Sequence, residues 1–329
     1  MSSAAPLDDR SASHVEADAP LFVVLNAGSG QRRAGDVRES LMTLFAQAGR
    51  RGEVEVASRS RPLPSLIEQA VRQAQRNGGI VVAAGGDGTL NAVARAVLPT
   101  GMPMGVLPTG TFNYFGRALG IPADVDEAAR LLLDAVPRPV QVGQVNGHMF
   151  LVNASLGLHP QLLEEREAFT RRFGRNRVVA LCAALVTLLR RHRDMHVEIH
   201  CDGEPALLRT TSLFVGNNRI QLERIGIDEA ALLSLGRLVG ISLRPVGRLE
   251  MAGLLLRSVL GRLGDAAPVE TFAFRELTVR PWLVKRRRRG VRVALDGETL
   301  RLEPPLRFEV VPRPLWVMAP REPLSQETS

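Results

Sequence analysis

Lysine is almost absent from this chain. Lys285 is the only one among 329 residues, and arginine carries nearly all the basic charge behind the net +8. That scarcity excludes two phosphoryl-transfer scaffolds. A Walker P-loop places a lysine after its last loop glycine, and a protein kinase places one on its third strand. Neither is available, so phosphoryl chemistry here needs another framework. Cysteine is scarce too. Cys182 and Cys201 are the only two, which leaves no disulfide framework and makes a reduced, cytoplasmic setting the default. Aromatic residues amount to 4%, too few for extended base stacking, so nucleic acid is not the expected partner. The basic balance also suits an anionic membrane surface.

Long hydrophobic runs are missing as well. The longest, Val178 to Leu189, has 12 residues and arginines on its flanks, short of the roughly 20 that span a bilayer. It suits either a core helix or the apolar lining of a pocket. Met1 to Pro20 is polar, rich in Ala and Ser, and has no apolar h-region, so the expectation is a disordered tail over 1–19 and no secretory signal. Residues 321–329 are expected to form a second disordered tail.

What is present is ordinary in bulk and specific in detail. Apolar content of 45% and charged content of 23% are those of a globular protein, and the length suffices for two cored domains. The informative stretch is Ile80 to Ala94. Ile80 to Ala84 reads as a buried strand. Gly85, Gly86 and Gly88 allow a sharp turn that exposes backbone N–H groups. Thr89 reads as an N-cap, and Leu90, Val93, Ala94 and Val97 follow helical spacing. Strand, glycine turn and helix N-terminus together form a phosphate cradle. Asp87 inside it would repel phosphate unless a divalent metal or an ordered donor lay between them. The competing reading is an ordinary strand-to-helix turn.

The flanking pattern alternates. Strands are expected at Leu21–Leu25, Glu53–Ala57 and Met102–Leu107, and helices at Gly35–Ala48 and Pro64–Asn77. Glycine-rich loops follow the first strand (Asn26 to Gly30) and the last (Pro108 to Arg117). This argues for a parallel α/β sheet with its loops gathered at the strands' carboxyl ends. After Pro137 the pattern becomes mainly antiparallel β. Hairpins are expected at 139–154 around Asn146-Gly147 and at 195–215 around Asp202-Gly203. Further strands are expected at 238–243, 269–279, 291–295 and 307–311, and a helical stretch over 160–193. The predicted division is 20–136 for an α/β nucleotide-binding domain and 137–320 for a β-sandwich-like domain, whose last segment is a candidate to return to the first.

These residues carry a resemblance. Asn26-Ala-Gly-Ser-Gly30, Gly85-Gly-Asp-Gly-Thr89, Leu107-Pro-Thr-Gly-Thr-Phe-Asn113, Asn153-Ala-Ser-Leu-Gly157 and Leu295-Asp-Gly-Glu298 occur in order from about 21 to 318. In this the chain resembles the diacylglycerol kinase catalytic-domain family, in its soluble bacterial lipid-kinase branch related to sphingosine kinases. The resemblance implies an α/β ATP-binding domain, a β-rich lipid domain, and ATP in the cleft between. It implies ATP contacts from Asn26, Ser29, Gly30, Gly85, Gly86, Asp87, Gly88, Thr89, Leu90, Asn91, Gly110, Thr111 and Asn113. Asp87, with Asp124 through water, would organise Mg2+. Asp296 and Glu298 would be the catalytic pair, one of them the base on a lipid hydroxyl in phospholipid biosynthesis. The same tetrapeptide is also what a plain Asp-Gly hairpin turn looks like, and Asp202-Gly-Glu204 supplies an internal comparison.

The chain departs from the family pattern twice. Tyr114, the only tyrosine, stands where the family has an aspartate, and Leu235 stands where some members have a metal-binding aspartate. The first raises the alternative of a catalytically impaired nucleotide- or lipid-binding regulator. An NAD kinase-like enzyme is the other alternative, since it shares GGDGT but not the remaining motifs. His192, His196 and His200 recur every four residues, yet Met195 to His200 alternates like a strand, which puts the histidines on one solvated face rather than around a metal. Trp282 with Lys285, Arg286, Arg287, Arg288 and Arg289 suits transient contact with the inner membrane face, against a solvated hairpin loop or a nucleic-acid contact.

Overall fold

The computed structural model describes residues 15–16, 18–26, 34–110, 113–157, 194–282 and 290–321. The chain forms two compact units, Met1–Gln141 with Pro312–Ser329, and Val142–Val311.

The first unit is a mixed sheet with helices. Its strands are β1 (Leu21–Leu25), β2 (Gly52–Val56), β3 (Ile80–Gly85), β4 (Met104–Pro108), β5 (Val136–Val140) and β18 (Leu315–Ala319), in the order β2-β1-β3-β4-β18-β5. The first four are mutually parallel, β18 runs parallel to β4, and β5 closes the edge antiparallel to β18. β1, β3 and β4 are buried along their whole length, which is why they read as unbroken apolar runs. The helices are α1 (Ala34–Gln47), α2 (Leu63–Asn77), α3 (Asp87–Val97), α4 (Tyr114–Ala118) and α5 (Val125–Asp134). Leu66, Ile67, Ala70 and Ala74 form the buried stripe of α2. Ser40 Oγ donates to Asp126 Oδ1 at 2.7 Å and ties α1 to α5.

The second unit is a sandwich of two antiparallel sheets. One has the order β10-β9-β14-β17-β6-β7, with β6 Gly143–Val145, β7 His148–Phe150, β9 Met195–Cys201, β10 Glu204–Thr210, β14 Glu276–Pro281 and β17 Leu306–Val310. The other has the order β13-β12-β11-β8-β15-β16, with β8 Asn153–Gly157, β11 Ser212–Gly216, β12 Leu238–Leu243, β13 Val269–Phe274, β15 Val291–Leu295 and β16 Glu298–Leu302. Phe150, Ile199, Val279 and Phe308 of the first sheet share one core with Leu156, Val215, Leu238 and Val293 of the second. Helices α6 (Arg219–Arg224) and α7 (Arg248–Val259) lie in the connections.

Four runs that read as single strands are broken in the structure. Residues 139–145 divide into β5 and β6, 149–154 into β7 and β8, 207–215 into β10 and β11, and 269–279 into β13 and β14. At each break the chain leaves one sheet for another. Of the expected tails, residues 1–14, 17 and 322–329 lie outside the described residues, whereas Ala19 is buried and its carbonyl accepts from Arg50 Nε at 2.8 Å. The 160–193 helical stretch with Val178 to Leu189 and His192, and Lys285 to Arg289, also lie outside the described residues.

Candidate active site

The turn read as a phosphate cradle lies where β1, β3 and β4 end. Helix α3 starts at Asp87, and its N-cap is Gly86 in an extended conformation (φ −85°, ψ 179°). Thr89, a cap by residue type, instead sits inside the first turn, where its N–H and that of Leu90 donate to Gly86 O at 2.8 and 3.1 Å. Gly86 takes the cap because the first turn closes on its carbonyl. The Thr89 hydroxyl is then available to accept from Asn26 Nδ2 at 3.0 Å. This bond joins the end of β1 to the first turn of α3. Thr109 N–H donates to Gly85 O at 3.0 Å and joins β3 to β4.

Two glycines are dictated by contact. A Cβ on Gly85 would lie 2.4 Å from Thr89 Cβ. A Cβ on Gly110 would lie 2.7 Å from Gly86 Cα and 3.0 Å from Asn113 Oδ1. The two loops therefore meet backbone to backbone, and first-turn N–H groups that a helix leaves without intrahelical acceptors face outward from β3. Asn113 adopts the left-handed region (φ 48°) and donates Nδ2 to Gly110 O at 2.8 Å. Its Oδ1 is buried without a hydrogen-bond partner.

The structure thus brings together Asn26, Gly85, Gly86, Asp87, Gly88, Thr89, Gly110 and Asn113. Leu90 is fully buried and belongs to the core through its side chain. Asn91 is also buried, and its Oδ1 accepts from Arg95 Nη2 at 3.2 Å. Ser29, Gly30 and Thr111 lie outside the described residues. Asp124 acts elsewhere. It caps α5, and its Oδ1 accepts from Asp126 and Glu127 N–H at 3.0 and 3.1 Å. The sequence signal for that was the Asp preceding a helical apolar spacing.

A hard cation fits this end of the unit by the chemistry of its donors. Asp87 offers a half-buried carboxylate and Asn113 a buried amide oxygen. No group of three or more His, Cys, Asp or Glu among the described residues could hold a metal alone. Mg2+ characteristically takes one or two carboxylates and completes its shell with substrate phosphates and water.

In the second unit Leu295-Asp-Gly-Glu298 is the turn between β15 and β16, with Leu295 opposite Glu298. Asp296 (φ 46°) and Gly297 (φ 91°) both have positive φ, as a two-residue I′ turn requires. Asp296 accepts three backbone hydrogen bonds, from Leu151 to Oδ2 at 2.7 Å and from Val152 and Asn153 to Oδ1 at 2.8 and 2.9 Å. Asn217 holds the same bend from the other side, its Nδ2 donating to Leu151 O at 3.0 Å. Asn153 Nδ2 donates to Gln221 Oε1 at 3.1 Å. Sequence reasoning missed Asn217 and Gln221; the available signal was the Asn217-Asn218 pair directly after a strand. Glu298, two residues along, is exposed. Leu235 ends a 3-10 helix and is 62% exposed.

A glycine turn at a helix N-terminus on a mixed sheet, joined in one chain to a β-sandwich, is an arrangement suited to phosphoryl transfer. A family model for the diacylglycerol kinase catalytic domain matches residues 20–145. A protein of Pseudomonas aeruginosa (strain PAO1) named "Probable lipid kinase YegS-like" is 31% identical over 317 residues, covering 91% of this chain and 95% of its own. One of the same name from Pseudomonas savastanoi pv. phaseolicola is 32% identical over 267 residues, 78% and 80% of the two chains. The "Diacylglycerol kinase" of Bacillus subtilis (strain 168) is 35% identical over 133 residues, 39% of this chain and 43% of its own. A crystal structure of a diacylglycerol kinase from Bacillus anthracis str. Sterne has the same fold, with a TM-score of 0.67 at 17% identity over 92% of this chain and 98% of that one. The chain belongs to the diacylglycerol kinase catalytic-domain family and is a kinase.

Proposed function

We propose that the protein is an ATP- and Mg2+-dependent lipid kinase that phosphorylates a hydroxyl of diacylglycerol or a related lipid. The observation that carries this reading is the approach of Gly110 to Gly86, which leaves no room for a side chain where two loops meet at an α3 N-terminus. The names of the full-length relatives supply the lipid as acceptor.

In this reading the first unit, Met1–Gln141 with the returning segment from Pro312, holds the nucleotide, and Val142–Val311 receives the lipid. Gly85 to Asn91, with Gly110, Thr111 and Asn113, cradle the phosphates, and Asn26, Ser29 and Gly30 contact the nucleotide. Asp87 and Asn113 would hold Mg2+, which would neutralise phosphate charge. A bond forms between the lipid oxygen and the γ-phosphorus, the bond from that phosphorus to the β–γ bridging oxygen breaks, and ADP leaves. The hydroxyl proton passes to a carboxylate. Of the two candidates, Asp296 already accepts three N–H groups, whereas Glu298 is exposed beside it. Glu298 is therefore assigned as the base and Asp296 as the residue that positions its hairpin. The enzyme works as a peripheral protein of the inner membrane face, with Trp282 and the run Lys285 to Arg289 meeting anionic lipid. No helix among the described residues is long and apolar enough to cross a membrane.

The test is transfer of labelled phosphate from ATP, with Mg2+, into mixed micelles of diacylglycerol, monoacylglycerol, sphingosine, ceramide or phosphatidylglycerol. Label in one lipid, lost in Glu298→Gln, supports the reading. Label in NAD instead of any lipid overturns it.

A further inference from the structure

Helix α7 turns a row of leucines to solvent. It connects β12 to β13. Its hydrogen bonding begins at Gly247 O, which accepts from Met251 N–H at 2.9 Å, and reaches Leu260 N–H, which donates to Leu256 O at 3.0 Å. Gly261, in the left-handed region (φ 69°), ends it. That end is held on the end of α6. Leu263 N–H donates to Ile225 O at 2.9 Å, and a Cβ on Gly226 or Gly264 would run into a carbonyl of the other segment. Met251 and Leu254 are buried, whereas Leu249 is 92% exposed, Leu256 and Leu260 are 62% exposed, and Gly253 is exposed too. At 100° per residue, positions 249, 253, 256 and 260 fall within about 60° of the helix circumference.

Spacing of four, three and four residues is the seam of a helix pair. The row is complementary to itself when a second copy runs antiparallel about a twofold axis. Leu249 then faces Leu260 of the second copy. Gly253 faces Leu256 of the second copy, and its missing side chain leaves the hole that this leucine fills. On one flank Glu250 comes opposite Arg257 of the second copy, and the symmetry makes that pair twice. Both residues are exposed. Glu250 has no ion-pair partner among the described residues, and Arg257 spends one N–H on Asp265 O at 3.5 Å. A parallel pair would set Gly253 on Gly253 and keep Glu250 away from Arg257. A bilayer is a poorer match. A helix lying on lipid edges its apolar face with Lys and Arg, whereas this narrow row is flanked by one charge of each sign.

We infer that α7 is a self-association surface through which two copies of this chain pair antiparallel. Two three-turn helices bury less than the ~1,200 Å2 of a standard interface, so a weak dimer with a Kd of about 10–100 µM is expected. The inference is independent of the lipid-kinase reading, and no measurement of phosphate transfer enters its test. The experiment is sedimentation velocity of the full chain over about 1–200 µM. The expected result is a monomer–dimer equilibrium. Leu256→Asp should raise Kd about tenfold or more, with an unchanged thermal melt of the dilute protein. Glu250→Arg and Arg257→Glu should each weaken self-association by setting like charges across the seam. An equimolar mixture of the two should restore dimers, because each copy then brings the charge that the other lacks. A monomer at every concentration would overturn the inference; a melt lowered in Leu256→Asp would then give the row to a cover within the chain, such as Val178 to Leu189. Dimers that survive Leu256→Asp and both charge variants would overturn it by moving the contact to another surface. Charge variants that fail to pair on mixing would overturn the antiparallel arrangement. Flotation of a monomeric wild type with phosphatidylglycerol vesicles, lost in Leu256→Asp, would overturn it in favour of lipid.

Discussion

Asp296 Oδ1 accepts the backbone N–H of Val152 at 2.8 Å, across 144 residues of sequence. With the bonds from Leu151 and Asn153, it satisfies the bend where the chain passes from β7 in one sheet to β8 in the other. Such a bend strips N–H groups of their ladder partners, and an unmade buried bond is costly. Replacing Asp296 by Asn should therefore destabilise the protein by about 2–3 kcal/mol, because an amide presents one acceptor oxygen and turns an NH2 toward a donor. Glu298→Gln, by contrast, should leave the melting temperature unchanged and lower kcat by at least ~100-fold, as loss of a general base does. Thermal melts beside turnover assays separate the two roles. A stable but inactive Asp296→Asn, with an active Glu298→Gln, would reverse them.

The internal comparison makes this sharper. Asp202, in the turn between β9 and β10, accepts from Arg275 and Glu276 N–H at 2.8 and 3.0 Å, where the chain passes from β13 to β14. Asn146, between β6 and β7, accepts from Arg307 N–H at 2.8 Å near the start of β17. One device thus recurs at three Asx-Gly turns. Asp202→Ala should cost about 1–2 kcal/mol of stability while leaving kcat on lipid at the wild-type value. A loss of turnover in the folded variant would show that Asp202 does more than hold a bend.

β1, β3 and β4 of the first unit were legible in the sequence because each is one apolar run ending in a glycine-containing loop, and β2 because Glu53 to Val56 alternates. Ile80 to Ala84 could be read as a buried strand, and the strand-turn-helix order at Gly85 to Val97, from composition and spacing alone. The second unit was legible as β but not as to its strand breaks. Thr211 and Arg275 sit inside continuous β-compatible runs, and nothing local marks that the sheet changes there. The acceptors that make the changes possible are distant: Leu243 O for Thr211, and Asp202 for Arg275. The cap of α3 was misread because Thr89 is a good cap by type, yet the close packing of Gly85 against it leaves the capping position to Gly86. β16 and β18 went unread because Glu298 to Leu302 carries mixed polarity and Leu315 to Ala319 follows a proline-rich turn.

A pH effect is expected on the outer face of β9. The hydrogen bond from His200 to Glu198, at 2.9 Å, holds the Glu198 carboxyl below its ordinary 4.5, and the nearby Arg280 charge adds to this. A carboxylate with a depressed folded value favours the native state above its unfolded value and loses that contribution as pH falls through the folded one. In NMR titration Glu198 should titrate below 4.5, and His200→Ala should move it upward toward that value. An unchanged Glu198 midpoint in the variant would assign the depression to Arg280 instead.

The strongest demand on the cradle is at Gly110. Gly86→Ala would place its Cβ 3.6 Å from Gly110 Cα, an ordinary contact, whereas Gly110→Ala would place its own 2.7 Å from Gly86 Cα. The Cβ is fixed by its own backbone and the atom it meets is backbone, so no rotamer change relieves the contact, and the loops after β3 and β4 must separate. Separation displaces the first-turn N–H groups of α3 from the geometry that cradles phosphate. Gly110→Ala should therefore raise the KM for ATP by ~10-fold or more and lower kcat as well, since a loop displaced by about an ångström misplaces the reacting phosphorus. Gly86→Ala should stay within about threefold of wild type, because its contact needs no movement. Steady-state kinetics with ATP varied at fixed lipid, beside a thermal melt of each variant, is the measurement. Equal damage from both substitutions would show that the cradle is used through its side chains or its flexibility, and not through the backbone approach.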